Sequence, residues 1–247
     1  MNYDENDNGS PTFLEGKKDP KKTKTTFFKI FVIQKYCEKP QLIEGHKHRL
    51  RVYALITHDH KAYYFEEWYT AICAVKFDIK SMNYTSLLTN QDVNFKLPQQ
   101  IKGTITHCLP MKQTLEHVTV DEKLNREIVK MMFDSVFVDG INKLNPKNFP
   151  GAFELYGLDI LYDQNNKPWF LECNEFPTTE GRGNYYFAPY EFRLFEDMFK
   201  LTIDKIFPQP ANGKRLGMKF KFLDFPDDQN LWTLLADYTS QVKPASN

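Results

Sequence analysis

The chain has 247 residues, enough for one large domain or a domain with an appended subdomain. At 41% hydrophobic and 15% aromatic it is too apolar for global disorder, and 32 basic against 32 acidic residues leave no net field for nucleic acid or membrane. No apolar run is long enough for a membrane span, and the polar start MNYDENDNGSPTF is not a secretory signal.

Residues 1–26 read as a polar tail carrying the basic run KKDPKKTK, either solvated charge or a tether to an acidic polymer. TFFKIFVIQKY, aromatic and β-branched, predicts a buried strand. RLRVYALIT sets Leu50, Val52, Ala54 and Ile56 against Arg51, Tyr53 and Leu55, a strand with one strongly apolar face. Two more β segments are expected in KAYYFEEWYTAICAVKF, and a weak apolar patch in ITHCLPM. From Val120 the period becomes helical, through Leu124, Ile128, Met131, Met132, Phe137 and Ile141, with Asp121 and Glu122 at the start and Gly140 near the end. FELYGLDILYD and KPWFLECNEF form a hairpin around DQNNKP. YEFRLFEDMFKLTIDKIF predicts an amphipathic helix stopped by Pro208, and NLWTLLADY a last short helix after the basic loop NGKRLGMKFK. This order predicts an α+β domain with a mostly antiparallel sheet and packed helices over 27–208, followed by the 209–247 loop and helix. Cys37, Cys73, Cys108 and Cys173 stand singly and read as reduced thiols of a cytosolic protein.

The hairpin carries the chemistry. With the turn centred between Asn165 and Asn166, Asp159 faces Glu172, and Asn174 lies on the same face one step along. Carboxylates opposed across an antiparallel pair, about 5 Å apart at Cβ, repel each other. Two remedies are open. A divalent cation would suit two carboxylates and an amide oxygen, and magnesium held by few protein groups implies a nucleotide phosphate beside it. Alternatively the pair faces solvent, with Lys or Arg nearby.

These residues resemble the tubulin–tyrosine ligase-like branch of the ATP-grasp proteins. FELYGLDILYDQNNKPWFLECNEFP is similar to that family's metal-binding hairpin, FVIQKYCEKPQLIEGHKHRLRVYALIT to its strand–hinge–strand segment, and LLTN to its phosphate-side loop. The three blocks follow the family's order between Phe27 and Pro208. The resemblance implies the C-terminal half of an ATP-grasp fold with ATP and Mg²⁺ as cofactors. Gln34 and the backbone of Tyr36 and Cys37 would line the adenine pocket. Lys47 and Arg51 would act catalytically at the phosphates or acyl acceptor, and Thr89 and Asn90 would lie by the γ-phosphate. Asp159, Glu172 and Asn174 would hold magnesium.

Three departures stand out. Arg49 occupies a position where the family usually has an acidic residue. An arginine expected after the YYFEEW strand is replaced, Ala71 falling near that place. The family's N-terminal lobe, with its lysine and glycine-rich flap, is expected before Phe27, where this sequence has a polar tail. Two functions follow. One is an ATP-dependent carboxylate–amine ligase adding tyrosine, glutamate or glycine to a protein tail, most typically tubulin or a microtubule. It would work in the cytoplasm, at the cytoskeleton or cilium, with Mg-ATP binding but very low turnover unless a partner completes the clamp. The other is a degenerate relative acting as a tubulin-binding scaffold. Neither needs a membrane or nucleic acid.

Overall fold

The longest strand organises the rest because its two faces are both covered. In the computed structural model, residues 33–81, 83–90, 94, 108–136, 149–177, 188–208 and 229–241 are described. Met1–Tyr36 and Cys37–Asn247 form separate compact units. Of the first unit only 33–36 is described, outside regular secondary structure, so most of the strand expected in TFFKIFVIQKY lies outside the described residues.

In the second unit a short β1 (Leu42–Ile43) turns through Glu44 and Gly45, both at positive φ, into β2 (His46–Thr57). β3 (Lys61–Phe65) pairs with Ala54–Ile56 and β4 (Tyr69–Ile72) with His48–Arg51. A one-turn α1 (Tyr84–Leu87) is followed by β5 (Cys108–Pro110), α2 (Met111–Leu115) and α3 (Glu122–Val136). The hairpin strands are β6 (Phe153–Tyr162) and β7 (Pro168–Glu175), and β6 pairs with Leu50–Thr57 of β2. After α4 (Ala188–Leu201) and α5 (Ile203–Ile206), β8 (Trp232–Asp237) adds to β3. All pairings among these strands are antiparallel, in one eight-stranded sheet.

The expectation of a single apolar face on β2 is corrected. Leu50, Val52, Ala54 and Ile56 pack with Ile128, Val129, Met132 and Phe133 of α3. On the other side Tyr53 and Leu55 pack with Tyr190, Leu194 and Met198 of α4. Helices therefore cover both faces, so a central strand is buried at every position. On that second face the polar residues Lys47, Arg49 and Arg51 are buried too, at the end of the strand where the core gives way to the site.

α3 starts where Asp121 accepts the Leu124 amide at 3.0 Å, a side-chain cap, and its inward face is Ile128, Val129, Met132 and Phe133. Phe137, Gly140 and Ile141, expected to continue it, lie outside the described residues. Arg126 forks onto both oxygens of Glu66 while lying 5.0 Å from the Tyr64 ring centroid, tying α3 to the end of β3.

The helix expected in NLWTLLADY is a strand. Short leucine-rich runs satisfy helix and strand patterns alike. Here the open edge of β3 decides, pairing Tyr64 with Thr233 and Phe65 with Trp232. Asp197 of α4, fully buried, receives the Leu231 amide at 2.9 Å and Arg193 Nε at 2.7 Å, and so fixes where β8 begins.

Phe133 is fully buried against Tyr156, whereas Met131 on the same helix is 59% exposed. Phe133→Ala is expected to cost about 3–5 kcal/mol and Met131→Ala less than about 0.5 kcal/mol, measured by urea unfolding.

Candidate functional site

The hairpin turn is built by Asp163, whose Oδ1 accepts the Asn165 and Lys167 amides at 2.8 and 3.1 Å, with Asn166 in the left-handed region. The pairing near the tip, Tyr162 with Pro168 and Ile160 with Phe170, centres on Asn165, one half-step from the sequence-based placement. A bulge at Leu171 then shifts the register, so that Asp159 does face Glu172. The expected pair is reached through compensation that no spacing rule supplies. Gly157 sits opposite Asn174, and its missing side chain matters: a Cβ there would lie 2.5 Å from Pro177 Cβ and 3.0 Å from Arg51 Nη1. Only glycine leaves room for the Arg51 guanidinium to pass.

Asp159 is almost fully buried and faces Arg51 across β6 and β2. Its Oδ1 accepts from Arg49 Nη1 at 2.5 Å and Arg51 Nε at 2.6 Å, and its Oδ2 accepts from Arg51 Nη2 at 3.3 Å. Asp159 and Glu172 are directly opposed across the hairpin, and Asn174 Nδ2 donates to Glu172 Oε1 at 3.1 Å. The three hairpin residues thus come together. The basic partners of the second sequence-based alternative are present as well, with Asp159 buried rather than on a solvent face.

Burial raises the Asp159 pKa above its ordinary value, with Arg49 and Arg51 pulling the other way. Burial pushes Glu172 up too, but hydrogen bonds from Asn174 and Asp159 and the nearby guanidiniums hold it below the usual carboxylate value. Burial works against the charge on Arg51, yet Asp159 and Tyr69 more than offset it, so its pKa is raised.

Lys47, Arg49 and Arg51 occupy alternate positions of β2 and so share one face. Lys47 Nζ donates to the Leu87 carbonyl at 2.8 Å, and burial lowers its pKa, opposed by the Cys73 and Cys37 thiols. That bond holds the end of α1 against β2; of the residues that follow, Thr89 is buried and Asn90 exposed. Asn94, which the sequence did not single out, fastens this loop. Fully buried, it donates to the Leu88 and Asn90 carbonyls at 3.0 and 2.7 Å and accepts from the Ala74 amide at 2.8 Å. A lone Asn in a polar stretch carries no periodic signal, so only tertiary structure reveals it. Gln34 is exposed and Tyr36 half-buried, both in the Met1–Tyr36 unit, and Cys37 is half-buried at the start of the other. All four cysteines are free.

The hairpin set is all oxygen in its possible donors to a cation: two opposed carboxylates and an amide. Among the described residues no three His, Cys, Asp or Glu side chains gather as a metal-holding group. Oxygen donors of this kind fit a hard divalent ion that retains waters or phosphate oxygens. Three cations beside two carboxylates leave this face with an excess of positive charge.

An antiparallel sheet with a carboxylate–amide hairpin beside a basic row is an α+β fold of the ATP-grasp kind. A sequence profile of the Tubulin-tyrosine ligase family matches residues 18–212, and the chain belongs to that family. It is 32% identical over 199 residues to the probable tubulin polyglutamylase TTLL9 of Bos taurus, covering 76% of this chain and 41% of the bovine one. To tubulin glycylase 3D of Tetrahymena thermophila it is 27% identical over 197 residues, covering 74% of this chain and 19% of the relative. To the probable tubulin–tyrosine ligase PBY1 of Saccharomyces cerevisiae it is 25% identical over 209 residues, covering 78% and 27%. The chain therefore spans less than half the length of each of these relatives. No helix among the described residues is long and apolar enough to cross a membrane.

His48, between two of the cations in sequence but on the opposite face, is buried, and neither ring nitrogen has a hydrogen-bond partner among the described residues. Burial lowers its pKa from 6.5 to about 4. The unfolded chain therefore binds more protons between those values, and stability falls as pH drops through this window. Unfolding midpoints measured from pH 7 to 4 should show His48→Leu escaping an acid loss on the order of 3 kcal/mol that the native chain suffers.

Proposed function

We propose that this chain carries the metal- and phosphate-facing wall of an ATP-dependent carboxylate–amine ligase that joins an amino acid to a protein acceptor of the tubulin class. The observation that carries the reading is the juxtaposition of the Asp159–Glu172–Asn174 oxygens with the Lys47–Arg49–Arg51 row and the 87–90 loop. The names of its relatives, which include a tubulin glycylase, a tubulin polyglutamylase and a tubulin–tyrosine ligase, support the acceptor and leave glycine, glutamate and tyrosine as candidate substrates. A cytoplasmic or cytoskeletal setting follows from that acceptor.

In this reading Asp159, Glu172 and Asn174 would hold Mg²⁺, which would supply neutralisation of the ATP phosphates during transfer of the γ-phosphoryl group to a carboxylate. Lys47 and Arg51 place fixed positive charge beside the transferring group, already desolvated and costing no reorganisation. Thr89 and Asn90 would border the phosphates. The acyl phosphate so formed is attacked by an amine, giving the amide and releasing phosphate. A buried, water-poor wall protects that reactive anhydride from hydrolysis.

One observation favours a second reading, a tubulin-binding member of the family without turnover: both Asp159 oxygens are already taken by guanidiniums. Calorimetry of the full chain tests the first. Mg-ATP is expected to bind the native chain and to bind Glu172→Gln at least about tenfold more weakly, since a charge-assisted ligand is lost. Equal affinities would contradict the magnesium assignment. Transfer of labelled glycine, glutamate or tyrosine to tubulin separates ligase from scaffold.

A further inference from the structure

Arg49 carries an inference that rests on the magnesium reading and goes beyond it. Its guanidinium takes Asp159 Oδ1 at 2.5 Å, the same oxygen that Arg51 holds at 2.6 Å. Arg51 alone would already neutralise the buried carboxylate, holding it at both oxygens across directly paired strands. Arg49 comes from a different register position, two residues back, where its own Cα partner is Ala71 of β4. It reaches Asp159 diagonally, since the directly opposed partner of Asp159 on β2 is Arg51. A hard cation binding Asp159 needs an oxygen lone pair, and a guanidinium bonded to that oxygen competes with it for space and charge.

We propose that Arg49 is a built-in competitor for the cation: its guanidinium occupies Asp159 Oδ1 until metal binding expels it, and the freed guanidinium then turns to an anion on the Lys47–Arg51 face. Two consequences follow. Metal alone binds weakly, because it must break a buried charge-assisted bond. An anion that accepts Arg49 relieves that cost, so anion and cation help each other bind, each raising the other's affinity by the same factor. The site would then refuse either half of a metal–polyphosphate and accept the two together.

The test uses the full chain and Mn²⁺, followed by loss of its free paramagnetic signal, so no catalytic turnover is required. Mn²⁺ alone is expected to bind Arg49→Met about tenfold or more tightly than the native chain, in keeping with removal of one charge-assisted competitor. Arg49→Lys is the charge control. It keeps the positive charge but not the planar fork, and is expected to fall between the two. Sulfate, which holds Mn²⁺ only loosely in solution, should tighten Mn²⁺ binding to the native chain and do so less for Arg49→Met.

Circular dichroism confirms that each variant is folded, and the sulfate dependence of the native chain needs no variant. Mn²⁺ affinities that agree within about twofold in the native chain and Arg49→Met, together with no sulfate effect, would overturn the competitor role while leaving the magnesium reading intact. A tenfold gain in Arg49→Met that Arg49→Lys does not share at all would reduce Arg49 to long-range repulsion and also overturn it. No Mn²⁺ binding by any form, with or without ATP, would overturn both.

Discussion

Everything around the site depends on one buried carboxylate. Asp159 lies in the middle of a sheet, cut off from water, and is tolerable there only because two guanidiniums meet it within hydrogen-bonding distance. Uncompensated, a charge at such depth costs several kcal/mol; paired, it becomes a fixed point on which geometry can be built. The pairing staples β6 to β2 at the register Arg51–Asp159, and β7 follows through Asp159–Glu172. Glu172 and Asn174 are in turn set beside one another at the sheet edge, half-exposed, where a solute can reach them. The same contact demands Gly157, because any side chain there would strike Arg51 and Pro177.

β2 is the second organising element, and its odd-numbered face changes character along its length. Tyr53 and Leu55 belong to the aromatic core beneath α4, where Tyr53, Phe65, Tyr69, Tyr190 and Trp232 meet ring to ring. Arg51, Arg49 and Lys47 continue that face into the polar site. A two-sided core thus ends in three buried cations on one face. The end of α1 is held against β2 by the Lys47 bond to Leu87, and Asn94 fastens the loop that follows.

Much of this was legible in the sequence, for physical reasons that differ by element. That 46–57 is a strand, that 122–136 is a helix and that DQNNKP is a turn are local signals, and these survive into the fold. The Asp159–Glu172 pairing was legible only because the Leu171 bulge cancels a misplaced turn centre. The NLWTLLADY segment was misread because its leucines fit either period, and the vacant edge of β3, a tertiary fact, selects the strand. Arg51 was read as facing phosphate, and Arg49 as a mere departure. That both turn onto Asp159 depends on which strands flank β2, information that no window of sequence contains. Gln34 and Tyr36, expected on an adenine side, were named by resemblance alone.

The account makes the Arg49–Asp159–Arg51 contact the anchor of both hairpin and site, and urea unfolding of Asp159→Asn tests that directly. The substitution keeps the shape and removes the charge, leaving two buried guanidiniums without a counter-ion. The predicted result is a loss of about 3–5 kcal/mol, partly recovered when Arg49→Met is added. A stability within about 0.5 kcal/mol of the native chain would contradict it, since the hairpin would then be held by its apolar contacts alone.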